Sequence, residues 1–183
     1  MRICCYGASS TTLDKIYYEK AYELGKIIGE NGFSFIFGGG ETGLMGSSYR
    51  GAKEGKAYTI GISPKFFDEP GVLVKDSDEF IFTDTMRERK KLLIEMSDAT
   101  IVLPGGIGTY EEFFELYVLK SLGQNDRPIV IYNINGYYDK MKEFLLHTVD
   151  EKFMSKENMD LVVFLDDPDE IINYIKNYKK ATR

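Results

Sequence analysis

Seven short apolar runs alternate along the chain with longer segments whose apolar residues recur at helical spacing. The runs are 2–7 (RICCYG), 33–38 (FSFIFG), 57–62 (AYTIGI), 79–83 (EFIFT), 99–104 (ATIVLP), 127–132 (RPIVIY) and 160–165 (DLVVFL). Helical spacing marks 14–30, 44–55, 86–97, 110–122, 137–152 and 168–180. Near-continuous apolar runs belong to strands covered on both faces, and strands separated by helices join in parallel. The pattern predicts an α/β fold: a doubly wound, mainly parallel sheet forming a single domain over 1–183, with ligands at the carboxyl ends of its strands. The longest irregular stretch, 66–78 (FFDEPGVLVKDSD), is expected to be a rim or lid loop, and the tail 176–183 (KNYKKATR) a frayed, solvated helix end.

Three strands run into loops of small residues: 6–10 (YGASS), 38–46 (GGGETGLMG) and 104–109 (PGGIGT). Glycine lets the backbone turn sharply and lets a ligand reach the amides with no Cβ in the way. A following helix adds unpaired N–H groups and the positive end of its dipole, a combination suited to an anion. The second loop formally fits the dinucleotide pattern G-x-G-x-x-G, but it follows the second strand, and no acidic residue closes the next one to hold a ribose. For this loop an anion site and a set of tight packing turns are equally good readings. A Walker-type lysine is missing, because 51–57 (GAKEGKA) has the wrong spacing.

The third loop adds acid to glycine. Thr109-Tyr110-Glu111-Glu112 fits a capping box, with Thr109 at N-cap and Glu112 at N3, and this alone accounts for the glutamate. A cap does not need Gly105, Gly106 and Gly108 in front of it, however. A carboxylate about 5 Å from a phosphate costs roughly 3 kcal/mol at an effective dielectric of about 20, so basic groups must offset it. Segment 85–99 (TMRERKKLLIEMSDA) supplies them. On a helical wheel Met86, Leu92, Leu93, Ile94 and Met96 form the buried face, with Arg89 and Lys90 on its edges. Arg87 and Lys91 lie further round, while Glu88 and Glu95 point away. Edge cations have the option of reaching solvent along the helix rim, as lysine commonly does. For Arg89 a site role is favoured, because guanidinium pairs with carboxylate or phosphate through two parallel hydrogen bonds.

Composition narrows the field. Apolar residues at 43% and charged residues at 28% describe an ordinary globular chain. A formal net charge of −6 argues against nucleic acid as a partner, while leaving room for a small anion in a local pocket. Cys4 and Cys5 are adjacent, so they are expected to be free thiols in a reducing compartment. On a strand they point to opposite faces and do not share a metal. His147, the one histidine, falls mid-helix, and no metal is expected. Nothing ahead of the first strand has the length of a leader, and no apolar run spans a bilayer. A cytoplasmic chain without a membrane partner is the expectation.

The motifs 104–112 (PGGIGTYEE) and 86–90 (MRERK) resemble the PGGxGTxxE and M-x-x-R-K signatures of the Lonely guy family of nucleoside 5'-monophosphate phosphoribohydrolases, enzymes often labelled lysine decarboxylases. Segments 38–46 and 133–172 are similar to that family as well, so the resemblance covers almost the whole chain. It implies a Rossmann-like homodimer, working without a cofactor, that cleaves a nucleoside monophosphate into free base and ribose 5-phosphate. The family's catalytic arginine and glutamate fall on Arg89 and Glu112. Its phosphate-binding motif falls on Gly105, Gly106, Ile107, Gly108 and Thr109, with Ser9, Met86 and Lys90 as further substrate contacts. Glu69 matches a substrate-contacting acid only loosely. Tyr110 and Glu111 are assigned to the helix surface. The family's Thr-Trp and Gln are here Val118-Leu119 and Ser121, and its frequent histidine is Arg87. These departures bear on the base rather than on the catalytic pair.

Two other functions share parts of this pattern. A non-catalytic carrier of molybdenum cofactor or another nucleotide-like ligand would use the glycine loops, but it has no need for a carboxylate beside its phosphate cradle. A decarboxylase would carry pyridoxal phosphate on a lysine, and no lysine here has a distinctive setting for it.

Overall fold

In the computed structural model, which describes residues 1–179, each of the seven apolar runs holds all or most of a strand of one sheet. The strands are β1 (Arg2–Tyr6), β2 (Ser34–Phe37), β3 (Thr59–Pro64), β4 (Glu79–Thr83), β5 (Ala99–Val102), β6 (Ile129–Tyr132) and β7 (Val163–Leu165). Their order is β4-β3-β2-β1-β5-β6-β7, and every neighbouring pair is parallel. The helices are α1 (Lys15–Glu30), α2 (Gly43–Glu54), α3 (Met86–Met96), α4 (Ile107–Ser121), α5 (Asp139–Asp150), α6 (Lys156–Met159) and α7 (Pro168–Asn177). The short α6 falls in a stretch where no helix was expected. The expected end of the last helix at 180, and the end of the tail, lie outside the described residues.

Alternation along β1 shows why the runs are apolar throughout. Ile3 and Cys5 join the core beneath α1, α2 and α7, whereas Cys4 and Tyr6 join the core beneath α3, α4 and α5. Both thiols are free and buried. Helices α1 and α2 touch backbone to backbone: a Cβ on Gly25 would lie 1.9 Å from the Ser48 carbonyl oxygen, so only glycine permits this approach.

Two features of the topology prepare a site. The strand order reverses between β1 and β5, which opens a crevice at their carboxyl ends. The chain also passes from β3 to β4 with only a 3₁₀ turn, Lys65–Phe67, and a loop. That loop folds back over the strand ends, where Glu41 N donates to Val72 O and Val74 N to Gly39 O, both at 3.0 Å. Leu73 and Val74 are buried there, so the stretch expected as a rim is anchored at its middle.

Candidate active site

All three glycine loops border one cavity of about 590 Å³ at the carboxyl edge of the sheet. Gly7 to Ser10 follow β1, Gly38, Gly40 and Thr42 follow β2, and Gly106, Gly108 and Thr109 open α4. Apolar residues from α2, the rim loop and α3 complete it: Met45, Phe67, Val72, Leu73 and Met86. Arg89 from α3 and Glu112 from α4, two helices on the same face of the sheet, also line it.

Helix α4 begins three residues earlier than its hydrophobic periodicity suggests, with Gly106 as N-cap and no side-chain cap. The capping box expected at Thr109 and Glu112 is therefore absent. Thr109 occupies N3 and Glu112 lies one turn further in, where its carboxylate is beyond reach of the first amides. The first four N–H groups of a helix have no intrahelical acceptor. Among the described residues, nothing accepts from Ile107, Gly108 or Thr109 N–H. A Cβ added to Gly106 or Gly108 would meet no atom within 4 Å, so both positions face open space. The result is a cradle of amides, without acceptors among the described residues, at a positive helix end.

A capping box does exist, at the start of α3. Thr85 Oγ1 accepts from Glu88 N at 3.2 Å, and Glu88 Oε2 accepts from Thr85 N at 3.2 Å. Glu88 thus serves its own helix end, where the helical wheel had it merely pointing away. The signal was legible as T-x-x-E over 85–88.

Arg89 sits in the middle of the buried face of α3, one turn before Leu93, and not on its edge. Each member of the Arg89–Glu112 pair is only 7% exposed. Arg89 Nη1 donates to Glu112 Oε1 at 2.7 Å, and its Nε donates to the Ile62 carbonyl at 3.3 Å. A Cβ on Gly38 would lie 2.0 Å from Arg89 Nη2, so the first glycine of the second loop makes room for the guanidinium. Burial pushes the Glu112 carboxyl above the ordinary glutamate range, and Arg89 offsets part of that push. Cys4 and Tyr6 lie in the same field. Burial raises both of their pKa values, and the Glu112 charge raises them further, so they stay neutral beneath the pair.

The structure brings Ser9, Met86, Arg89, Gly106, Gly108, Thr109 and Glu112 to one cavity. Gly105 lies behind it, packed so closely that a Cβ would meet Thr109 Oγ1 at 2.1 Å. Ile107 is 87% exposed and turns outward. Lys90 does not border the cavity, because its Nζ is held by the carboxylates of Glu111 and Glu115. One helical position separates it from Arg89, which carries it round toward the outer face of α4. Glu69 is exposed on the rim loop, away from the lining. His147 is exposed on α5, and among the described residues no group of His, Cys, Asp or Glu is placed to hold a metal. No helix among them is long and apolar enough to cross a membrane. Sequence reading flagged loops 38–46 and 66–78 without naming Gly38, Met45, Phe67, Val72 or Leu73, missed Ser63, and put Glu111, which also borders the cavity, on the helix surface. The strand-end rule would have flagged Ser63, which falls within β3 because the strand runs to Pro64, two residues beyond its apolar run.

A family model described as "Possible lysine decarboxylase" matches residues 45–175. A cytokinin riboside 5'-monophosphate phosphoribohydrolase from Mycobacterium tuberculosis is 35% identical over 164 residues, covering 90% of this chain and 87% of that protein. An Arabidopsis thaliana protein of the same name is 30% identical over 177 residues, covering 97% of this chain and 83% of the relative. Among solved structures, the molybdenum cofactor carrier protein from Chlamydomonas reinhardtii has a TM-score of 0.72 at 23% identity, covering 96% of this chain and 95% of the other. The molybdenum cofactor binding protein from Rippkaea orientalis has a TM-score of 0.70 at 22% identity, covering 96% and 93%. At such identity the two structures establish a shared fold and no more.

Proposed function

The chain belongs to the family described as possible lysine decarboxylases that contains the cytokinin riboside 5'-monophosphate phosphoribohydrolases, and from that membership we propose that it hydrolyses the N-glycosidic bond of AMP-like nucleotides, N6-modified ones included, releasing free base and ribose 5-phosphate. One observation carries the reading. A single cavity holds both a helix N-terminus whose amides have no acceptor among the described residues and a buried carboxylate paired with arginine.

The two features divide the work. The amides of Ile107, Gly108 and Thr109 take the phosphate, with Ser9 across the crevice, and the apolar residues Met45, Phe67, Val72 and Met86 take the base. The sugar then lies over Glu112. As the C1'–N bond breaks, its electron pair leaves on the base and positive charge develops on the ribose. A carboxylate in a low-dielectric setting stabilises that charge strongly. Water adds its oxygen to C1', Glu112 accepts one of its protons, and the departing base nitrogen ends protonated. Arg89 holds the carboxylate in one orientation and keeps it ionised when the site is occupied. A carrier of an anionic cargo gains nothing from a buried carboxylate, which sets the hydrolase above the carrier reading.

The active form is a cytoplasmic homodimer built from one nucleotide-binding unit per chain. Ile107, Phe114, Val118 and Leu122 support the dimer: they fall on one stripe along the outside of α4, all exposed although apolar. Light scattering tests it, with a dimer mass expected at micromolar concentration and a monomer mass ruling it out. The activity is tested by incubation with a panel of nucleoside monophosphates, including N6-prenylated AMP, and chromatography of the released base. Absence of free base from every member of the panel would end the hydrolase reading.

A further inference from the structure

Three successive carbonyls in the loop between β5 and α4 are each taken by a donor of the protein. Tyr138 Oη donates to Leu103 O at 2.7 Å, Ala8 N donates to Pro104 O at 3.1 Å, and Tyr137 Oη donates to Gly105 O at 2.7 Å. In a planar trans peptide the N–H points opposite the C=O. Fixing the carbonyls of Pro104 and Gly105 therefore fixes the N–H groups of Gly105 and Gly106, and with them the backbone that enters α4.

The two tyrosines are adjacent in sequence, and an unusual turn aims both at this loop. Asn135 and Gly136 have φ of 52° and 71°, so the chain reverses in the left-handed region directly after β6. Asn133 locks the turn: its Oδ1 accepts from Tyr138 N, and its Nδ2 donates to Asp139 Oδ1, both at 2.7 Å. Tyr137 also meets Tyr110 on α4, with the two hydroxyl oxygens 2.9 Å apart. A phenol has a single hydroxyl hydrogen. Tyr137 gives its hydrogen to Gly105 O, so Tyr110 is the donor in that contact. A continuous chain of donors thus runs from α4 through Tyr137 to the loop.

We propose, resting on the nucleotide reading above, that Tyr137 and Tyr138 are positioning residues for the substrate phosphate: by holding the Gly105 and Leu103 carbonyls they orient the loop that leads into α4, whose first amides receive it. Neither borders the cavity, so they act through the backbone. A purely structural anchor would contribute to stability and leave phosphate affinity unchanged.

Ribose 5-phosphate binding, measured by calorimetry, separates the two roles without needing turnover. Tyr137→Phe removes one hydroxyl at a position 39% exposed and is expected to fold. It should weaken ribose 5-phosphate about tenfold, the scale of one lost hydrogen bond. For nucleotide hydrolysis the loss should appear mainly in KM and be larger for AMP than for adenosine. Tyr138→Phe should act in the same direction, and if it fails to fold Tyr137→Phe decides alone. Unchanged ribose 5-phosphate affinity in folded Tyr137→Phe, or no binding by the unsubstituted protein, overturns the proposal. Weakened binding in a protein that hydrolyses no nucleotide upholds it while removing the hydrolase reading.

Discussion

Helices α2 and α4 both start in glycine-rich loops at the same edge of the sheet, yet only one offers its amides to a ligand. At α2 the Ala8 carbonyl accepts from Leu44 N at 2.8 Å and from Met45 N at 3.2 Å. In the preceding loop, Gly40 N reaches the Met45 sulfur at 3.2 Å, and Glu41 N reaches Val72 O. Within the G-x-G-x-x-G match the amides of Gly40 and Glu41 are taken by the protein itself, and so are those of Leu44 and Met45 in the first turn that follows. At α4 the first three amides have no acceptor among the described residues, and the flanking glycines face open space. Glycine content is therefore a poor guide to an anion site. What decides is whether a neighbouring carbonyl already occupies the helix start, and that is a property of tertiary packing.

The hardest test of this contrast removes the carboxylate that accompanies the open helix. Glu112→Gln keeps the shape and can still accept from Arg89, but it discards the charge. Since Glu112 is not part of a capping box, a change in activity cannot be assigned to a lost cap. Turnover should fall at least about a hundredfold while the protein stays folded, the scale for losing a positioned electrostatic or acid–base group. Released base measured by chromatography reads this directly, and near-normal turnover would leave α4 as a binding site without chemistry.

The next largest effect is expected at the closed helix, and on stability rather than activity. Gly43 has a φ of +64°, and a Cβ there would lie 2.3 Å from Ala8 O, the atom that closes the start of α2. Gly43→Ala should therefore cost at least about 2 kcal/mol by urea denaturation, combining left-handed strain with a backbone clash. An unchanged midpoint would mean that the junction yields easily, and α2 would become a second candidate anion site.

This difference between the two helix starts also marks the limit of what was readable in the residues. Strand runs such as ATIVLP could be placed because burial on both faces leaves a local signature, and β5, buried throughout, occupies 99–102 within it. The cavity's glycine loops followed from the same rule, since strands of a doubly wound sheet end on one side. Arg89 and Glu112 could be named as partners of one site, but Arg89 was put on the edge of its helix face. Hydrophobic periodicity scores a buried arginine as polar, and only the space left by Gly38 shows how it is accommodated. The cap failed for a related reason. Thr109 and Glu112 have the right spacing for a box, but Ile107 and Gly108 ahead of them are already helical, and no local rule forbids a helix from starting uncapped. Lys90 was read as a further substrate contact, and its pairing with Glu111 and Glu115 was not legible because they approach it from a different helix.

A smaller effect, with stability and function moving in opposite directions, is expected from Gly108→Ala. The added methyl meets nothing within 4 Å, and the position is helical. Exchange of glycine for alanine in a helix gains up to about 1 kcal/mol. The same methyl stands where a phosphate would approach the amides. We expect a folded, slightly more stable protein whose kcat/KM for AMP falls about tenfold, a loss of about 1.4 kcal/mol in transition-state binding. A variant gaining stability without losing activity would show that the cradle is not used.

The smallest effect, in pH dependence, isolates the buried carboxylate that only the open helix carries. Burial raises the Glu112 pKa, and Arg89 offsets this in part, leaving it above the ordinary glutamate range. Two consequences follow with definite signs. Catalysis needs the ionised form, so the acid limb of kcat/KM in the free enzyme should lie above the ordinary glutamate value. Stability moves the other way. Between the unfolded and the raised folded pKa the folded chain binds more proton than the unfolded one, so this group's contribution declines as pH rises through that window and is fully present only below it. In Glu112→Gln that component of the pH–stability slope should vanish, while Gly43→Ala should retain it. Urea denaturation from pH 4 to pH 7 measures the slope for all three proteins. An identical slope in the unsubstituted and Glu112→Gln proteins, together with an acid limb at the ordinary glutamate value, would show that the carboxylate is hydrated in solution. The electrostatic advantage assigned to the α4 site would then be lost.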